Sequence, residues 1–220
     1  MQIEPLAVLH SPFATKFGIP RQSGITNIEC YIEFLPDYRI AEALHGIEDM
    51  EYLWLLWQFD TEGKWQPTVR PPRLGGNSRM GVFATRSPYR PNPIGLSSVK
   101  LLRTEQSKEK GPLLWVSGAD LMDGTKILDI KPYLPYTDSH PDALCGFAGK
   151  DWQRGLQVEC DDIIEKIPET LRQPLLQTLE QDPRPAYHDD PTRVYGFTFA
   201  GYEIKFIVAG GVLKVLSIES

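Results

Sequence analysis

The sequence predicts a mainly β protein, α+β overall, on three observations. Short apolar runs bounded by Gly, Pro and Asp fill roughly the first 135 residues, and sustained helical periodicity does not occur there. Strict alternation marks residues 28–34, where Cys30, Ile32 and Phe34 interleave with Glu29, Tyr31 and Glu33, the period-two pattern of a half-buried strand. Composition changes to Pro, Gly, Asp and Ala across residues 137–154, and Leu171, Leu175, Leu176 and Leu179 then recur at helical spacing before three more apolar runs. The expected architecture is a β-barrel or sandwich at 1–150 followed by a small helix-plus-three-strand domain at 151–220.

In chain order, residues 3–9 and 28–34 read as strands joined by the polar loop FATKFGIPRQSGITN. DYRIAEALHG, residues 37–46, reads as a short helix with Asp37 as N-cap and Gly46 as its stop. Residues 51–59, dense in Trp and Leu, read as a central strand buried on both faces that opens into a site at Phe59-Asp60-Thr61. Two further strands are expected at 96–103 and 113–119, with the charged loop TEQSKEKGP as their hairpin tip, and a strand at 126–130 follows the Asp123-Gly124 turn. In the C-terminal part Pro168 and Pro174 are expected to begin short helical pieces. Residues 193–198, 202–208 and 213–218 form a meander turning at Ala200-Gly201 and Gly210-Gly211. A unit of that size cannot bury a core alone and is expected to pack on the first.

The 220 residues are 41% hydrophobic, enough for a sizeable buried core. Cys30, Cys145 and Cys160 are an odd number without a CxxC pair, which argues for a reducing compartment and against a disulfide framework. The four histidines show no ligand spacing, so no metal is expected. The start lacks a basic n-region and no stretch approaches about 18 uninterrupted apolar residues, so the chain reads as soluble and cytoplasmic, with no membrane partner.

Charge is distributed unevenly. The chain is formally −6, yet residues 63–103 hold eight basic side chains (Lys64, Arg70, Arg73, Arg79, Arg86, Arg90, Lys100, Arg103) and no Asp or Glu. The remainder carries 15 basic against 29 acidic residues. Pro71-Pro72, Gly75-Gly76, Gly81, Pro88, Pro91, Pro93 and Gly95 punctuate this cationic island, so its arginines sit on constrained loops and short strands. Stiff loops bearing arginines suit a preformed anionic or polar ligand site, since little entropy is lost on binding; a solvated loop with a chance excess of arginine is the plainer reading. Docking on nucleic acid needs clustered Lys and Arg rather than a basic total.

Residues 68–97, TVRPPRLGGNSRMGVFATRSPYRPNPIGLS, resemble the signature of the TsaA-like (TrmO) family of tRNA N6-threonylcarbamoyladenosine methyltransferases. PRQSG at 20–24, DLMDGTKILDIKPYLPY at 120–136 and DPRPAY at 182–187 extend the resemblance over nearly the whole chain. It implies a β-barrel that binds S-adenosylmethionine, a homodimer, and methylation of N6 of threonylcarbamoyladenosine beside the tRNA anticodon. By position it implies a cofactor shell of Pro20, Arg21 and Gln22, the strand end Asp60-Thr61, Arg90, the backbone of Leu101, and the turn Asp120, Leu121, Met122 and Asp123. Asp60 departs from the family, which often has histidine there. Arg184 and Tyr187 are implied in the substrate wall.

The residues alone are less specific. A glycine-rich Rossmann turn is missing, and without the resemblance the chain would read as a β-rich protein binding something anionic. Methyl transfer from a sulfonium is an in-line displacement, so positioning can supply most of the acceleration. The acceptor N6 bears a proton and is deactivated by its carbonyl neighbour, so a base would help. Asp123 and Asp129 are the candidates, with turn capping and pairing as their structural alternative. Arg73, Arg79 and Arg86 are candidates for the RNA backbone or the threonyl carboxylate, and Tyr89 and Trp65 for stacking on an anticodon-loop base, with ordinary packing as the alternative for each. A non-catalytic RNA- or nucleotide-binding module, and a TsaA-like methyltransferase with another substrate, are the competing functions. Methylation assays on tRNA with and without the threonylcarbamoyl group discriminate all three.

Overall fold

The computed structural model describes residues 2–61, 63–71, 74, 78–149, 155–184 and 190–220. Six antiparallel strands close into a ring in the order β1 (Ala7–His10), β2 (Glu29–Phe34), β7 (Gly111–Ser117), β6 (Ile94–Ser107), β3 (Tyr52–Gln58) and β8 (Thr125–Pro132), which pairs back to β1. Closure removes free edges, and each strand turns alternate residues inward. Leu9, Ile32, Leu55, Val99, Leu114 and Ile127 are fully buried inside. The alternation read in residues 28–34 holds, with Cys30, Ile32 and Phe34 buried. Two-residue strands β4 (Thr68–Val69) and β5 (Met80–Gly81) form a small hairpin within the cationic island.

β3 is not buried on both faces. Leu53 and Leu55 point inward, whereas Trp54 and Leu56 lie half-buried on the outside, because a closed ring has one interior face. The Trp54 indole donates to Asp138 Oδ2 at 2.7 Å. Residues 37–46 also differ from expectation: they form 3-10 turns at Pro36–Tyr38 and Ala41–Leu44, followed by one at Ile47–Asp49. None of these turns buries a residue, and Asp37 makes no cap. An apolar stripe is what sustains a longer helix, and this segment lacks one. Most of TEQSKEKGP is strand, since β6 runs to Ser107 and β7 starts at Gly111, whose φ is 72°.

After the short helix α1 (Pro135–Asp138), the C-terminal part forms a four-stranded sheet in the order β10 (Tyr195–Phe199), β11 (Tyr202–Ala209), β12 (Val212–Glu219), β9 (Gln157–Glu159). The expected meander is therefore extended by β9, which pairs parallel to β12; three residues of strand give too short a pattern to read. Helix α2 (Glu169–Glu180) runs through Pro174 instead of restarting there. Proline inside a helix costs about 3 kcal/mol, and here Pro174, Leu175 and Leu179 are buried in compensation. One continuous core joins both parts: Phe13 meets Phe199 edge-on at 5.8 Å, and Phe17 meets Phe197 at 6.1 Å. A Cβ on Gly18, whose φ is 90°, would stand 2.3 Å from the Phe197 ring. Among the described residues no helix is long and apolar enough to cross a membrane, and no group of three His, Cys, Asp or Glu is arranged to hold a metal ion.

Candidate active site

The loop Pro20–Gly24 is held by contacts at four of its residues. Gly24, at φ 77°, donates its N–H to the Gly118 carbonyl at 2.8 Å, and the approach is close because a Cβ on Gly118 would come within 3.2 Å of Gly24 Cα. Ser23 Oγ accepts the N–H of Ser98 at 3.2 Å. Arg21 donates through Nη2 to the Asp182 carbonyl at 2.9 Å, and Asp182 is itself paired with Arg184 at 2.8 Å. Arg86 reaches in from the cationic island and donates to Gln22 Oε1.

Beneath this loop sits a buried polar relay. Trp57 Nε1 donates to Ser97 Oγ at 3.0 Å, and Ser97 Oγ donates to Asp120 Oδ1 at 2.6 Å. Ser97 is an inward position of β6 and only 1% exposed. Burial pushes the Asp120 carboxyl above the ordinary carboxylate range, more than its hydrogen bonds to Ser97 and to backbone N–H groups, Ser23 included, and the charge of Arg86 lower it. The fold allows the relay because Gly95, one inward step before Ser97, leaves room for Trp57; a Cβ there would lie 2.2 Å from the indole.

The structure thus brings Pro20, Arg21, Gln22, Arg86, Asp120 and, through Asp182, Arg184 into one neighbourhood. Other predicted residues are placed differently. Asp123 Oδ1 accepts the Ser11 N–H at 3.1 Å and lies 3.4 Å from His10 Nδ1, so its carboxylate serves the end of β1. Asp129 pairs with Lys131 at 2.7 Å and accepts the Ile130 N–H at 2.9 Å. Leu101 and Leu121 have their side chains in the core, leaving their backbones alone for any ligand, and the Leu121 carbonyl already accepts Ser11 Oγ. The Met122 carbonyl accepts Thr125 Oγ1 at 2.7 Å. Asp60 takes Lys16 Nζ on its carbonyl at 2.7 Å, while Thr61 is half-buried. Arg73 and Tyr187 lie outside the described residues.

Within the island, Arg90 turns inward, donating to the carbonyls of Thr85 at 2.6 Å and Val82 at 3.3 Å and so organising the 82–85 turn. Arg79 stays exposed and donates to Thr68 Oγ1 at 2.9 Å. Tyr89 is 45% exposed with its ring against Gly63, and Trp65 is 50% exposed. Sequence reasoning missed Ser23, Trp57 and Ser97. The readable signal was a serine at an inward position of an otherwise apolar alternation.

The family model described as the tRNA-methyltransferase O N-terminal domain matches residues 8–139, and the TrmO C-terminal domain model matches 151–220. A tRNA (adenine(37)-N6)-methyltransferase of Escherichia coli K12 is 40% identical over 230 residues, covering 99% of this chain and 97% of that protein. A putative S-adenosylmethionine-dependent methyltransferase of Pseudomonas aeruginosa is 40% identical over 205 residues, covering 88% of this chain and 87% of that one. The crystal structure of TrmO from Pseudomonas aeruginosa superposes with a TM-score of 0.79 at 34% identity, covering 100% of this chain and 99% of the other.

Proposed function

The chain belongs to the tRNA-methyltransferase O family, and from that premise we propose how its own residues perform the reaction. It is an S-adenosylmethionine-dependent tRNA (adenine(37)-N6)-methyltransferase. We read the closed ring, within a domain at 1–150, as the cofactor-binding β-barrel, and 151–220 as a second domain that completes the substrate wall through Asp182 and Arg184. The substrate is the threonylcarbamoylated adenosine of the anticodon loop, and the working form is a cytoplasmic homodimer.

The donor set at the Pro20–Gly24 loop fits the cofactor's chemistry, with guanidiniums and an amide for its carboxylate and adenine. Arg21, Gln22 and the backbone around Asp120 would hold it. When bound, S-adenosylmethionine supplies a methyl on a good leaving group. The chain's residues then have two tasks, to orient N6 behind that methyl and to take its proton. We assign the proton to Asp120 in place of Asp123 and Asp129. Its carboxyl is buried and its affinity for a proton is raised, whereas the carboxylates of Asp123 and Asp129 are engaged by His10, Ser11 and Lys131. The Asp120 carboxylate would take the proton that N6 gives up when it accepts the methyl.

The observation that carries this reading is the clamp on Gln22 and Ser23 between Arg86 and the Ser97–Asp120 pair. Labelled methyl transfer to tRNA with and without the threonylcarbamoyl group tests it. Transfer confined to the modified tRNA, and lost in Asp120→Asn with cofactor binding intact, is the expected result. Equal transfer to both tRNAs would remove the modification from the proposal.

A further inference from the structure

Phe83 is a side chain that neither the core nor the clamp uses. Its ring is 76% exposed on the 3-10 turn Val82–Ala84, and the turn beneath it is unusually well tied down. Val82 is 1% exposed and its N–H donates to the Pro67 carbonyl at 3.0 Å. Thr85 returns both its N–H, at 3.1 Å, and its hydroxyl, at 2.9 Å, to the Val82 carbonyl. Arg90 donates to the carbonyls of Val82 and Thr85 from below, and its guanidinium carbon lies 5.9 Å from the centre of the Phe83 ring. A phenyl ring is therefore held out on a pedestal, one side toward a cation and the rest toward solvent. Scattered exposed apolar residues need no explanation, but this one shares a small lobe, tied by the Thr68–Val69 and Met80–Gly81 hairpin and by Gln66 to Tyr89, with exposed Lys64, Arg70, Arg79 and Arg86 and half-exposed Trp65 and Tyr89. The sequence from 63 to 103 contains no carboxylate that would repel a phosphate.

We propose that Phe83 is a stacking platform for one unpaired base of the tRNA anticodon loop, with the surrounding guanidiniums on the phosphates that flank that base. This rests on the tRNA-methyltransferase reading and adds to it the residue that receives a splayed base. Single-stranded RNA is recognised by this combination, because every base has a face to stack while phosphates supply charge. A second copy of this chain is the less suitable occupant. A two-fold contact centred on this lobe would set its arginines against their own copies.

The test uses the full-length protein with threonylcarbamoylated tRNA. Phe83→Ala should raise KM for tRNA roughly 5- to 100-fold, with kcat within about twofold, thermal stability unchanged and S-adenosylmethionine affinity unchanged. Phe83→Trp should recover most of the loss because it restores a π face, and Phe83→Leu should not. A plot of log affinity against log salt should shift down in parallel for Phe83→Ala, since stacking releases no counterions. A KM equal to wild type in Phe83→Ala, recovery by Phe83→Leu, or a shift to smaller oligomers in sedimentation would each overturn the proposal, the last by giving the ring to a second copy. Failure of the parent reading looks different: the wild-type chain itself would transfer no methyl to tRNA.

Discussion

The corner around Asp120 and the lobe around Phe83 are joined through Arg86 and Gln22 and opposite in physics. In the corner the polar groups are tied to one another: Trp57 to Ser97, Ser97 to Asp120, Ser98 to Ser23, Gly24 to Gly118. In the lobe, Arg70, Arg79 and Arg86 remain exposed and the aromatic rings face solvent. The arginines of one cationic island are divided between the two. Arg90 is consumed in building the lobe, Arg86 bridges lobe and corner through Gln22, and Arg79 faces out. Preorganisation belongs where bonds are made and broken, since dipoles fixed in advance cost nothing at the moment of reaction. Exposed charge belongs where a large polyanion must first be captured.

If the corner is catalytic, the largest effect should come from Asp120→Asn. We expect kcat to fall about 10²- to 10⁴-fold with the affinity for tRNA little changed, measured by single-turnover transfer and filter binding. Asparagine also removes the titration. Burial raises the native carboxyl above its unfolded value, so the folded chain binds the extra proton; that contribution to stability is present at pH below about 3.9 and is lost as pH rises through the native pKa. Asp120→Asn should accordingly flatten stability across that window, as read by denaturant midpoints, and flatten the rise of kcat with pH. A variant that retains wild-type kcat and its pH profile would return the base role to another group.

Arg86→Ala tests the bridge. Losing one charge-assisted partner costs about 1.5 to 3 kcal/mol, or roughly 10- to 150-fold in kcat/KM, and Arg86→Lys should recover little because an ammonium cannot reproduce the fork. An effect confined to tRNA affinity would place Arg86 wholly in the lobe. Gly95→Ala comes next: the added methyl would lie 2.2 Å from Trp57, and overpacking costs about 1 to 3 kcal/mol, visible as a lower melting temperature with a disturbed Trp57–Ser97 relay. The smallest effect is expected in the lobe. Arg79→Ala should reduce the salt dependence of tRNA binding by about one phosphate's worth, a slope change of about 0.7 to 0.9, and leave kcat alone.

Much of this was legible along the chain because local rules sufficed. The alternation at residues 28–34 needs only period two, and the turns at Gly111, Gly124, Gly201 and Gly210, all with positive φ, need only glycine's freedom. The island of Arg and Lys is visible in composition, and the motifs at 20–24, 68–97, 120–136 and 182–187 carried the family resemblance without any geometry. Pro174 misled because its cost is local and its compensation, burial against a distant core, is not. β3 misled because an apolar run cannot say whether one face or two will be covered.

The sequence alone determined the strand periods, the turns, the segregation of charge and the family. Tertiary structure alone decided which carboxylate is which. Asp120 and Asp123 stand three residues apart in one motif, yet ring closure buries the first against Ser97 and hands the second to His10 and Ser11. Burial and pairing arise from residues 23 positions away for Asp120 and Ser97 and 112 for Asp123 and Ser11, and a carboxyl's proton affinity is set by desolvation and neighbouring charge, quantities that exist only once the chain has brought those segments together.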